Sequence, residues 1–126
     1  MKNTIATLGL IAAIFTVGNA QAARVTGASV DIARKTISVD VVYGGGCKEH
    51  SFKLSNNTGC FETYPVSCRF ELIENANGDM CEAMIYKKIQ FTFAELGFNN
   101  SYYSRAGITI LGDNGSKAGF RLPVIN

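Results

Sequence analysis

The chain has no tryptophan, two prolines and a single histidine among its 126 residues. Each scarcity removes a reading. Without tryptophan there is no indole to pack beside an inter-sheet disulfide, a hallmark of antibody-type immunoglobulin domains. With prolines only at 65 and 123, no Pro-rich linker divides the chain, and it shows neither an internal repeat nor a low-complexity tract. His50 alone would have to serve as base for any cysteine or serine nucleophile. Charge of one sign is scarce too: 12 Lys and Arg stand against 10 Asp and Glu, and neither sign clusters along the chain. That balance argues against a nucleic-acid or anionic-membrane surface, which needs a basic face.

Long hydrophobic runs are also missing beyond one at the start. "MKNTIATLGLIAAIFTVGNAQA" carries one charge, Lys2, and an apolar run from Ile5 to Val17. At 1.5 Å per helical residue this run is too short for a hydrocarbon core of about 30 Å. The small residues of Ala20-Gln21-Ala22 suit a signal peptidase, so residues 1–22 read as a cleaved secretory signal of bacterial type. Residues 23–126 then form one domain, periplasmic or secreted, with no membrane insertion after cleavage. The sequons at Asn56, Asn99 and Asn114 read as polar turns in that setting.

What the remaining chain does contain is alternation. In "KTISVDVVY", Ile37, Val39, Val41 and Tyr43 share one face while Thr36, Ser38 and Asp40 share the other. Val30 and Ile32 suggest a preceding strand. "HSFKL", "VSCRFELI", "CEAMIY" continued by "KKIQFTF", "SRAGITIL" and "KAGFRLPV" follow, giving seven to eight short strands. "SNNTG", "NANGD" and "GDNGS" carry Asn-Gly and Gly-Asp chemistry suited to hairpin loops, and Ala94 to Leu96 suits one helical turn. The pattern predicts an all-β domain: a two-sheet antiparallel immunoglobulin-like sandwich, with a small β-barrel as the second choice.

Cys47, Cys60, Cys68 and Cys81 all follow the signal, and an even number in an exported chain predicts two disulfides. If "NANGD" closes a hairpin, Cys68 and Cys81 lie about 13 Å apart along the ladder. A disulfide needs Cα atoms within about 7 Å, which disfavours that pair. Of the two connectivities left, Cys47 with Cys81 and Cys60 with Cys68 is preferred, because "CFETYPVSC" reads as a stapled loop.

No catalytic constellation is present. Ser51, Ser67 and Ser104 sit in no G-x-S-x-G elbow, there is no C-x-x-C, and Glu62, Glu71, Glu74 and Glu82 show no distinctive pairing. The expectation is a non-catalytic module without cofactor. Cys47 and His50 have C-x-x-H spacing, with Glu49 placed to orient the imidazole, so a metal site is one alternative. It requires reduced thiols, which the oxidising compartment opposes. The structural alternative is that Gly44 to Gly46 let the chain bend into a cystine.

Two stretches have the composition of binding loops. "GFNNSYYSRAG" offers Tyr102, Tyr103 and Arg105 among small polar residues, and "CFETYPVSC" presents Phe61, Glu62 and Tyr64 on a closed loop. The competing reading of the first is that one tyrosine faces the core. The expected function is binding to a protein partner through these loops. A secreted protease inhibitor acting through the Cys60 to Cys68 loop is the alternative.

Overall fold

The computed structural model describes residues 23–56 and 59–125. The signal-peptide expectation falls on residues 1–22 and lies outside the described residues. Eight strands occur among the described residues: β1 (Arg24–Asp31), β2 (Thr36–Gly45), β3 (Ser51–Ser55), β4 (Cys60–Phe61), β5 (Ser67–Asn75), β6 (Ala83–Thr92), β7 (Gly107–Leu111) and β8 (Lys117–Arg121). Among the described residues the chain is all-β apart from one helical turn, α1 (Phe93–Leu96), and two short 3-10 turns.

β2 is central because its alternation is the cleanest. Its inward residues Ile37, Val39 and Val41 are fully buried and Tyr43 nearly so. Burial of each aliphatic side chain contributes about 1.5–3 kcal/mol as an upper estimate. β1 and β6 flank β2, both antiparallel, to make the first sheet. The second sheet runs β3-β5-β7-β8, with β4 sharing the β3 edge of β5. Phe70 on β5 and Ile108 and Ile110 on β7 meet the β2 side chains in one core between the sheets.

Four expectations are corrected. β5 and β7 pair in parallel, Ser67 beside Gly107 through Glu71 beside Leu111, so the second sheet is not antiparallel throughout. A parallel pair needs a crossover, and here the chain leaves β5, adds β6 to the other sheet and returns through α1. For the same reason "NANGD" closes no hairpin: β5 and β6 belong to different sheets. The two sheets do not close on each other, so the barrel is not formed. Ile32 lies in the turn after β1 and is 60 % exposed rather than part of a strand face.

α1 matters for what it positions. Thr92 and Glu95 form a reciprocal capping box, and Gly97, at φ 76°, ends the turn in the left-handed conformation. Phe93 and Phe98, on either side of that stop, are both buried, and Phe98 meets Phe70 edge-on at 5.6 Å. This aromatic plug fixes where the chain emerges into residues 99–106.

Candidate binding site

The four cysteines pair as Cys47–Cys81 and Cys60–Cys68. Strand register explains both bridges. Cys60 and Cys68 are directly opposed across β4 and β5, with Cα atoms 4.0 Å apart. The β2–β6 ladder ends with Gly45 opposite Ala83, and Cys47 and Cys81 lie two residues beyond that end, one past each strand. The hairpin used to exclude Cys68–Cys81 does not exist; separation into two sheets keeps those residues apart instead.

The first bridge sits beside a buried polar cluster that accounts for the glycines. His50, 5 % exposed, binds Glu74 through Nδ1 and Asp79 through Nε2, the latter at 2.9 Å, and its ring lies 4.5 Å from that of Tyr43. Asp79 also accepts backbone N–H bonds from Cys47, Lys48 and Cys81 at 2.9–3.1 Å. A Cβ on Gly45 would stand 2.8 Å from His50 Nε2, so the glycine is what lets the imidazole approach. Gly46, at φ 115°, makes the turn into Cys47. Burial opposes charge on His50, but the bonds to Glu74 and Asp79 outweigh it and raise its pKa above 6.5. Burial likewise opposes charge on Asp79; the Cys81 N–H, the His50 ring and the Lys48 and Cys47 N–H groups overcome it and hold the carboxyl well below 3.8. The cluster is a histidine ring held between two acidic side chains.

The residues of the metal alternative, Cys47 and His50, are engaged elsewhere in this arrangement. The sulfurs of Cys47 and Cys81 come within ligand range of Asp79, yet they are bonded to each other, and both His50 nitrogens are engaged. Glu49 does not orient the ring; it is exposed and faces Lys87 at 3.7 Å. The true partners were missed, although Glu74 continues the inward series Cys68, Phe70, Leu72 on β5. A carboxylate at a core-facing position is a signal for a buried partner.

The two candidate binding loops come together. The Tyr102 hydroxyl donates to Glu62 Oε2 at 2.6 Å, joining residues 40 apart in sequence. Between the loops lies a cleft of about 690 Å³, lined by Glu62, Tyr64, Pro65, Tyr102, Ser104 and Arg105 among others. Tyr64 is fully exposed at the apex of the disulfide-closed loop, and Phe61 is 54 % exposed beneath the Arg69 guanidinium, 5.6 Å from its ring centre. Arg105, at φ 60°, turns the chain into β7 at the cleft wall. Tyr103 is not brought into the site: its ring lies 5.2 Å from Phe98 and meets Tyr102 edge-on, so it supports the exposed tyrosine from the core side. The Glu62 acceptor holds the Tyr102 proton and raises that phenol's pKa.

Asn100 Oδ1 accepts from Tyr102 N at 2.8 Å, and Ser104 exchanges two hydrogen bonds with the Ile125 backbone at 2.8 Å each. The tail therefore pins the 101–105 segment while the cystine pins its partner. Such a site is held open before any ligand arrives, which lowers the ordering cost of binding. Comparison of the chain with protein-family models, curated proteins and solved structures gives no match.

Proposed function

We propose that the protein is a non-catalytic binding module of the periplasm or the extracellular space of a bacterium. Its sandwich is immunoglobulin-like in the broad sense that loops at one end of two packed sheets form the site. The observation that carries the reading is the Tyr102–Glu62 bond, which makes one cleft of two loops distant in sequence. Exposed Tyr64 and Phe61 supply large contact area at low entropy cost, and the walls are fixed by a cystine and by Ser104. His50, the sole histidine, is engaged at both nitrogens and is not a free general base. Two disulfides suit an oxidising compartment.

The test is a displayed-peptide selection against the immobilised disulfide-bonded protein, repeated with Tyr64→Ser/Tyr102→Ser. Enriched peptides should lose binding to the variant while its Tm stays unchanged. Absence of enrichment, or enrichment indifferent to the variant, contradicts the proposal. The protease-inhibitor reading has its own support in Tyr64, which stands clear of the protein on a closed loop. Inhibition of a serine, cysteine or metalloprotease, lost in Tyr64→Ser, would establish it.

A further inference from the structure

Balanced charge along the chain conceals an unbalanced face. Outward positions of the second sheet alternate with its core positions, and register places them side by side. One row runs Phe61, Ser67, Gly107, Arg121 across β4, β5, β7 and β8; the next runs Arg69, Thr109, Gly119. Lys117 lies two rows from Arg121 on β8, and Lys53 opposes Ile73 on the β3 edge. Arg121 Nη1 reaches the Arg105 carbonyl at 2.7 Å, which joins this face to the cleft. Lys53, Arg69, Arg105, Lys117 and Arg121, all exposed, are five of the chain's twelve basic residues. Against them this region carries Glu71 and Glu62, which accepts from the Tyr102 hydroxyl, with Asp113 in the turn that leads into Lys117.

We propose that this face, continuous with the cleft, docks an extended acidic peptide segment of a partner protein. The inference rests on the binding-module reading and adds the ligand's chemistry. Three features select that occupant. Between Arg69 and Arg121 the floor is formed by Ser67, Gly107, Thr109 and Gly119, so little side chain obstructs a chain lying flat. Lys117 and Arg121 are four residues apart on one strand, about 13 Å, and an extended peptide sets its i and i+4 carboxylates at the same interval. At the cleft end, Phe61, Tyr64 and Tyr102 beside arginines form the residue mixture that dominates protein–protein hot spots. Guanidinium groups pair bidentately with carboxylates, and the spread of charge suits several of them rather than one compact anion.

The experiment measures fluorescence anisotropy of a dye-labelled octapeptide alternating Glu and Ser, titrated with the disulfide-bonded protein at low salt. Its Gln-for-Glu counterpart and a labelled oligouronate serve as comparisons. The Glu peptide should bind best and weaken with salt. R105Q/R121Q should cost about tenfold in affinity, whereas R24Q/K88Q, equal in charge change but on the first sheet's outer face, should cost under about twofold. Melting curves of both variants must match the wild type. Failure to bind the Glu peptide, equal losses in the two variants, or tighter binding of the oligouronate overturns the inference. If displayed peptides selected through Tyr64 and Tyr102 are neutral and the Glu peptide does not bind, the cleft reading stands and the acidic ligand falls. Loss of both overturns both.

Discussion

Replacing Gly45 with alanine sets a methyl carbon 2.8 Å from Nε2 of His50 and 2.9 Å from Oδ2 of Asp79. Neither atom has room to yield. His50 is held from its far side by Glu74 and stacked on Tyr43, and Asp79 is held by the N–H groups of Cys47, Lys48 and Cys81. Overpacking by one carbon costs about 1–3 kcal/mol, and the rigid surroundings put this site at the upper end. Gly45 lies outside the left-handed region, so alanine is tolerated by the backbone and recovers about 0.4–1 kcal/mol through the unfolded chain. The net loss is about 2 kcal/mol, which for a domain of this size lowers Tm by about 8 to 16 °C. Near-UV circular dichroism on heating, without reductant and at mildly acidic pH, reads it directly. A Tm equal to or above wild type would refute the claim that Gly45 exists to admit the imidazole.

Stability should be greatest between about pH 4 and pH 6.5. Asp79, depressed from 3.8, contributes above that value and loses its contribution as pH falls through its folded pKa. His50, raised from 6.5, contributes fully below that value and loses it as pH rises through its folded pKa. Urea midpoints that climb steadily above neutrality would contradict this. Tyr103→Ser should destabilise by about 2 kcal/mol through loss of packing on Phe98, while Tyr102→Ser leaves Tm unchanged; equal melting of the two variants would undo their separate roles. Removing the Cys47–Cys81 bridge by alanine substitution, with a sequence separation of 34, should cost about 4 kcal/mol by loop closure. A urea-derived loss under about 1 kcal/mol would mean that the buried cluster alone holds the β2–β6 end together.

The elements legible from sequence are those set by local chemistry. β2 follows from Ile37, Val39, Val41 and Tyr43 at period two, and α1 from Thr92 and Glu95 ahead of Gly97. Pairing was less legible, because a turn constrains only its own few residues. Asn77 and Gly78 adopt the left-handed backbone expected of a hairpin, at φ 55° and 75°, yet the chain crosses between sheets there. Contacts distant in sequence decide it: Asp79 is drawn to His50 and Cys81 to Cys47. Both candidate loops were visible in composition, but their meeting at Tyr102 and Glu62 depends on the parallel β5–β7 pair, which no local pattern encodes. The basic face was hidden for the same reason, since Arg69 and Arg121 become neighbours only through β7.

Titration of the isotope-labelled, disulfide-bonded protein with the Glu-Ser octapeptide, followed by amide NMR shifts, tests the central claim most directly. The account predicts perturbations confined to residues 61–67, 101–107 and the outward face around Lys53, Arg69, Lys117 and Arg121, saturating together. Shifts scattered over both sheets, or centred on Lys35 and Lys48 at other turns, would contradict a site built from these two loops.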